Sequence, residues 1–448
     1  RFIVLFPVKE RITIMIRYLI LLFIVPIFSV AQDSSLLSSN DAIKIALENN
    51  LSIKLVESDK EIASINNNWG NAGKWPTVNI NLSNTEALTN LNQVLSNGNE
   101  IKRNGVTNNV VNANLVATWR IYNGKRIEAT KQRLEELEKI GEINVKQEMQ
   151  RISYEVLLAY YNIVRLNQQI KAIHAIIALS KERFTIAKTR YEVGSAAKTD
   201  MLQSEIDLNE QNVTLSSLER QINVAKANLN TLLKRPVDQP LTILDSTFRI
   251  PVLKYNDVVS RIDTQNLDLM RAERQRAILA EDRRIIQSGR LPFVALNSNT
   301  NYNRNKASGG FFLTNQTYGP NIGLSIGIPI FNSNQFKTQL KTNTIQQRQQ
   351  MMQKELLQNQ LKQDVYTAFL EWENAANIAE VEKTNVTIAS ENNNIATERF
   401  RKLQGNSIEL RQAQLSLIQA QDRFIEALYR QKLAAISIQL ILGEVGSE

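Results

Sequence analysis

Residues 145–191 read VKQEMQRISYEVLLAYYNIVRLNQQIKAIHAIIALSKERFTIAKTRY. An apolar or small residue recurs at alternating spacings of four and three: Val145, Met149, Ile152, Val156, Ala159, Ile163, Leu166, Ile170, Ile173, Ile177, Ser180, Phe184, Ala187 and Tyr191. An undistorted α-helix turns every 3.6 residues. A strict 3.5-residue repeat keeps one seam on a neighbour only if the helices wind left-handedly around each other. The stretch therefore predicts a coiled-coil helix. Extended to residues 125–191, it reaches roughly 100 Å at 1.5 Å per residue.

Working outward, the same pattern returns. Trp119-Arg-Ile-Tyr-Asn-Gly124 aligns with Ile328-Pro-Ile-Phe-Asn-Ser333 at a shift of 209 positions. That shift also carries Val156 to Val365, Ala159 to Ala368, Tyr160 to Phe369, Arg190-Tyr191 to Arg399-Phe400 and Leu232 to Ile441. Upstream, Trp75-Pro76 matches Leu291-Pro292 at 216. The chain thus reads as a tandem duplication: residues 32–233, a linker over 234–255 containing three prolines up to Pro251, and residues 256–448. Each half predicts an opening helix (residues 40–71 and 256–287), a long helix (125–191 and 334–400) and a return helix (199–233 and 408–442). The two short helices together match the long one, so each half should place one long rod antiparallel to two short ones in series.

Strands are predicted between opening and long helices. Val78, Ile80 and Leu82 alternate with Thr77, Asn79, Asn81 and Ser83. Val111, Ala113, Leu115, Ala117, Trp119 and Ile121 alternate with polar residues, as do Ile322, Leu324, Ile326, Ile328 and Ile330. Residues 291–302 form a weaker fourth strand. The hairpins span about 76–122 and 291–331, with loops expected over 83–109 and 301–317. One apolar and one polar face fit membrane β-barrel strands. Packing of a soluble hairpin on a helix gives the same pattern, but these helices are already committed to their own coiled coil. Four strands fall short of the about eight that close a membrane barrel, so several chains would have to share one. Trp75, Trp119, Tyr122 and Phe331 fall at the helix–strand junctions, where an interfacial aromatic belt would lie; ordinary junction packing accounts for them equally well.

Composition narrows the function classes. The 448 residues hold no Cys and a single His, which excludes disulfides, thiolate nucleophiles, Cys-bound metal clusters and multi-His metal sites. No catalytic or cofactor-binding constellation is present, so no enzyme activity is expected. Only 16 Gly and 9 Pro suit a mostly helical chain rather than a turn-rich one. Tyr18 to Phe28 is a short apolar core preceded by Arg17 and followed by Ser29-Val30-Ala31, the layout of a signal peptide over residues 1–31. Met15 reads as the start, with residues 1–14 as an upstream extension. Cleavage would remove four basic residues and one acidic one, lowering the net charge from +9 to +6. With no basic block, that argues against nucleic acid. No later stretch is apolar enough for a transmembrane helix.

The tandem halves, the hairpin set within helices, and the tip motifs Arg190-Tyr191-Glu192-Val193-Gly194 and Arg399-Phe400…Gly405 resemble the TolC-like outer-membrane efflux and secretion channels, over nearly all of the mature chain. The resemblance implies a homotrimer in the outer membrane of a Gram-negative bacterium. Three chains would share a twelve-stranded barrel in the lipid and a twelve-helix α-barrel across the periplasm. A periplasmic adaptor and an inner-membrane efflux or secretion transporter would be its partners. It implies an aperture at the helical tips, with Asp200 and Glu409 as gate carboxylates beside Arg190, Tyr191, Arg399 and Phe400. Val193, Gly194, Ser195, Leu403, Gln404 and Gly405 would meet the adaptor. The sequence departs from the family pattern: Gln412 stands where a second carboxylate is expected, Phe400 replaces a tyrosine, and the tip arginine has no clear counterpart. This gate is poorer in charge. Gly194 and Gly405 are expected to supply the positive φ of each reversal.

Other candidates are weak. Gly194-Ser-Ala-Ala-Lys198-Thr199 lacks the glycine that a phosphate loop needs before its lysine. His174 has no partner residue for metal or catalysis. Glu135, Glu136 and Glu138 alternate with Lys131, Arg133 and Lys139 as on a solvated helix face. The rival to a channel is a periplasmic coiled-coil scaffold or adaptor without a pore, which leaves the alternating strands unexplained.

Overall fold

The computed structural model describes residues 36–244 and 247–446. The expected signal segment, residues 1–31, lies outside the described residues. The elements run α1 (Ser39–Asn49), α2 (Leu51–Asn66), β1 (Thr77–Val94), β2 (Glu100–Asn123), α3 (Arg126–Glu192), α4 (Lys198–Leu232), α5 (Tyr255–Gln265), α6 (Leu267–Ser288), β3 (Phe293–Ala307), β4 (Thr314–Gly327), α7 (Gln335–Arg401) and α8 (Ser407–Leu442). The fold is long antiparallel helices with one four-stranded sheet, as expected from the periodicities.

Both long helices have 67 residues, and α4 and α8 have 35 and 36. The 3.5-residue seam of α3 is buried at Ile152, Val156, Ile163, Leu166 and Ile173, and the burial extends to Tyr160 beside it. All but Ile173 pack with Ala42, Ile43 and Ala46 of α1, Leu229 of α4 and Ile436 of α8, while Ile173 joins Ile176 of α3 and Leu417 of α8 in a separate cluster. Fully burying side chains of this size contributes about 1.5–3 kcal/mol each. A second cluster joins Val258, Ile262 and Leu269 to Leu361, Val365, Ile438 and Leu442.

Each opening helix, expected to be continuous, is broken once. Asn50 leaves helical geometry (ψ 129°), ends α1, and accepts from the Ser52 amide at 2.8 Å to begin α2. Asn266 does the same between α5 and α6. Its side chain accepts from the Leu269 amide at 3.0 Å and donates to the Ile441 carbonyl at 2.8 Å. A short amide that satisfies the first backbone N–H groups of a new helix makes the break cheap. The two positions are related by the 216-residue shift that relates Trp75 to Leu291.

The linker is docked rather than loose. Leu37 and Ile243 form a parallel bridge, with Leu37 donating to Thr242 at 2.9 Å and accepting from Leu244 at 2.8 Å. The buried Tyr160 hydroxyl donates to the Leu37 carbonyl at 2.9 Å. Leu241 and Ile243 thereby join the main core.

The sheet has the order β1-β2-β3-β4, antiparallel throughout. The strands are longer than expected. β1 and β2 pair as far as Val94 and Glu100, through residues read as loop. Ladder hydrogen bonds need no apolar alternation, so the Asn/Thr-rich arms stay paired after the apolar row ends. At about 3.4 Å per residue, β2 is roughly 80 Å long, more than twice the 9–11 residues that span a bilayer.

Candidate functional site

Two surfaces carry functional geometry: the sheet and the helical tips. Register sorts the sheet's residues by face. Val78, Ile80 and Leu82 of β1 share a face with Leu115 of β2, Leu296 of β3 and Ile322, Leu324 and Ile326 of β4. This apolar row is open: Ile80 is 67% exposed, Leu82 72% and Ile322 73%. Beyond it the same face turns polar at Glu86, Arg304 and Lys306. The opposite face is amide-rich. Asn81, Asn114 and Asn301 stand in one line across three strands, Asn299 and Asn321 in the next, and Asn112 and Asn303 in a third, where Asn303 donates to Asn112. Apolar outside and polar inside is what a barrel wall in lipid requires. The outer edges of β1 and β4 pair with no other strand among the described residues.

At the sheet–helix junction Trp119 donates to the Lys74 carbonyl at 2.9 Å, and the Lys74 ammonium lies 4.3 Å from the Trp69 ring centre. Trp75, Tyr122 and Phe331 are exposed at the same level, with Phe331 at 78%. Trp69 joins this aromatic group although its sequence position suggested only a helix end.

At the other end, α3 and α4 reverse at Gly194 (φ +74°), and Ser195 closes the turn with its amide 2.8 Å from the Arg190 carbonyl. The second reversal differs from expectation. Its left-handed residue is Leu403 (φ +60°), which the 209-residue shift aligns with Gly194. Gly405 serves a close approach instead: a Cβ there would meet the Arg399 Cβ at 3.2 Å. Val193 and Leu403 project outward, 71% and 62% exposed, and Gln404 donates its amide to the Arg399 carbonyl at 2.9 Å.

Several of the expected gate residues come together. Arg399 pairs with Glu409 at 2.6 Å, while the Glu409 amide is capped by Asn406 at 2.7 Å. The Arg190 guanidinium lies 4.7 Å from the ring centre of buried Phe400. Phe400 packs with Ala187, Ala396, Leu410 and Ala413, which seals the two hairpins together near their ends. Asp200 occupies the first turn of α4, where the helix dipole favours it. Its side chain and that of Tyr191 enter none of these contacts.

The most buried charges here were not among the residues expected from the sequence. Asp207 on α4 lies between Arg183 of α3 and Arg411 of α8, pairing with both, the latter at 3.0 Å. Gln203 also donates to it at 2.9 Å. The Arg183 side chain is 3% exposed, and burial pulls its pKa below the usual arginine value against the pull of Asp207. Arg401 of α7 reaches Glu182 of α3 and Glu398. Higher up, Glu382 of α7 accepts from Arg423 of α8 at 2.7 Å, which holds its carboxyl below the usual carboxylate range. No motif announces these pairs, because their members are scattered along the chain and meet only across helices. The charge run at 131–139 is likewise more than a solvated face: Glu138 accepts from Asn67 of the α2 end, and Glu136 reaches Arg274 of α6 at 3.4 Å. Among the described residues, no helix is long and apolar enough to cross a membrane, and no acidic or histidine cluster could hold a metal ion.

The sequence model of the outer membrane efflux protein family matches residues 42–234 and 258–444, one segment per half. The chain belongs to the outer membrane efflux protein family. No curated protein matches it by sequence. Solved structures show the same fold for this outer membrane efflux protein. The outer membrane protein VceC of Vibrio cholerae superposes with a TM-score of 0.74 at 16% identity, over 90% of this chain and 96% of its own. The CmeC outer membrane channel of Campylobacter jejuni gives 0.72 at 15%, over 92% and 87%. The open state of the MtrE outer membrane channel of Neisseria gonorrhoeae gives 0.70 at 17%, over 90% and 88%.

Proposed function

We propose that this protein is the outer-membrane exit duct of a tripartite efflux or type I secretion system, working as a homotrimer. The observation that carries this reading is the four-stranded sheet with an exposed apolar face, an asparagine-rich opposite face and two unpaired edges. Open edges do not persist in lipid, because each unpaired backbone group there costs several kcal/mol. Joining β4 of one chain to β1 of the next removes every edge, and three chains make a barrel of twelve strands. Unpartnered apolar residues along α7 (Ile345, Met351, Leu356, Val381, Ile388 and Ile395) supply a matching helical interface.

The duct would be passive. Cargo delivered by an inner-membrane transporter would enter at the tips, pass the helical conduit and leave along the amide-lined strands. A periplasmic adaptor would dock on Val193, Gly194 and Ser195 and on Leu403, Gln404 and Gly405. The ion pairs Arg399–Glu409 and Arg183–Asp207–Arg411, with the Phe400 cluster, would hold the tips together until docking. Asp200, on the first turn behind the tip, would face the mouth and favour cations there.

The test is the protein mass of the detergent-extracted particle from the membrane fraction, by light scattering with detergent mass subtracted. Three chains per particle and channel activity in a planar bilayer are expected. A monomer or dimer that stays in solution without detergent would replace the duct by a pore-free scaffold.

A further inference from the structure

The junction between sheet and helices concentrates positive charge. Lys74, Arg120, Lys125 and Arg126 lie there in the first half, and Arg290, Lys337 and Lys341 in the second. Glu128 is the one carboxylate in the same stretches (residues 70–76, 119–128, 288–294 and 327–341). All seven basic side chains are exposed, and none joins an ion pair among the described residues. Along the helices, by contrast, arginine after arginine is paired, as Arg133, Arg151, Arg276 and Arg423 are.

Three of the seven line a single cleft. Arg290, Lys337 and Lys341 surround a concavity of about 630 Å³ whose apolar wall is Ile330, Phe331 and Phe336. Phe336 packs on Gly289, where any side chain would collide with its ring at 2.5 Å, so the floor is fixed. Ile330 is 96% exposed and follows β4, whose row Ile322, Leu324, Ile326 faces away from the asparagines. The first turn of α7 opens beside the cleft with no acidic residue and no side-chain cap. A site with cationic groups on one side and open apolar surface on the other, level with the aromatic belt, suits an amphiphile with an anionic head.

We infer that this cleft binds an anionic phospholipid of the leaflet nearest the helices, its phosphate held by Arg290, Lys337 and Lys341 and its acyl chains lying on Ile330 and Phe331. The inference rests on the membrane reading above. Each basic group near an anionic surface contributes a factor of about five in affinity. Removing three weakens binding about 100-fold.

The experiment is native mass spectrometry of the detergent-extracted full-chain particle, titrated with phosphatidylglycerol or phosphatidylcholine. Phosphatidylglycerol bound to the assembled particle, with phosphatidylcholine binding far more weakly, is the expected result. The triple variant R290Q/K337Q/K341Q should lose about 100-fold in affinity at unchanged particle mass, and Lys337→Gln alone about fivefold. Equal binding of both lipids, or wild-type binding by the triple variant, overturns the assignment. Binding only to dissociated single chains means that a second copy fills the cleft, and displacement by millimolar inorganic phosphate means a free-anion site; either overturns it. Failure of the membrane reading would appear separately, as a particle that needs no detergent, and would take this inference with it.

Discussion

Asp207 gives the sharpest prediction. Its carboxylate is the only counter-charge the described residues offer Arg183, whose side chain is 3% exposed. Truncation in Asp207→Ala leaves that guanidinium buried and uncompensated, a situation that costs about 3–5 kcal/mol. The Arg411 partner is 44% exposed, so its share is small after solvent screening. Taking the lower bound, about 3 kcal/mol, the opening equilibrium of the tip should rise roughly 150-fold at 1.36 kcal/mol per decade. Hydrogen exchange read by peptide mass spectrometry tests this. Peptides over 180–207 and 399–414 should exchange faster by that factor, while 152–166, in the main core, should not change. Channels of the variant in a bilayer should show more open time. The double variant Arg183→Met/Asp207→Leu should recover most of the protection, because removing both charges removes the buried ion as well. Wild-type protection in Asp207→Ala, or a double variant no better than the single, would refute the reasoning.

Three further outcomes follow from the structure. Leu403→Gly should relieve a left-handed non-glycine residue and raise the tip's local stability by about 1 kcal/mol, whereas Gly194→Val should cost about 1–2 kcal/mol and lower export with the assembled particle intact; tip exchange rates and particle mass separate the two effects. Leu324→Arg, on the apolar face, should cost about 2–4 kcal/mol and reduce membrane-inserted protein, while Asn301→Arg on the opposite face should leave insertion unchanged, as judged by the yield of detergent-extracted particles. Glu382 has its pKa depressed by Arg423 and Asn385, so its contribution is present above the unfolded carboxylate range and is lost as pH falls through the depressed folded value; Asp422, raised by burial alone, has the opposite sign and penalises the fold as pH rises past its unfolded value. Thermal midpoints of Glu382→Gln and Asp422→Asn from pH 3 to 7 should therefore diverge from wild type in opposite directions.

The sequence by itself determined the rods and the strands. Fourteen seam residues at 3.5-residue spacing specify a supercoiled helix whatever surrounds it, because the repeat is local arithmetic on one chain. The alternation at Val78–Leu82 and Ile322–Ile326 likewise fixes which face of each strand is apolar, and the 209-residue shift relates matching residues of the two long helices. The breaks at Asn50 and Asn266 escaped that reading, since one asparagine inside a helical pattern becomes a cap only when its amide finds partners such as the Ile441 carbonyl. The length of the hairpin arms escaped it because ladder pairing persists where hydrophobic alternation has stopped. At the tips, Arg399 lies in the tip motif and Glu409 was expected there only from the family resemblance; their pairing, ten residues apart across one turn, comes from the structure. Asp207 was not: it lies between Ile206 and Leu208 on a return helix and acquires its meaning from Arg183 and Arg411, one preceding it by 24 residues and the other on a helix of the other half. Local periodicity is written in order along the chain. Charge pairing across helices depends on axial register and rotation, and only the packed tertiary structure sets those.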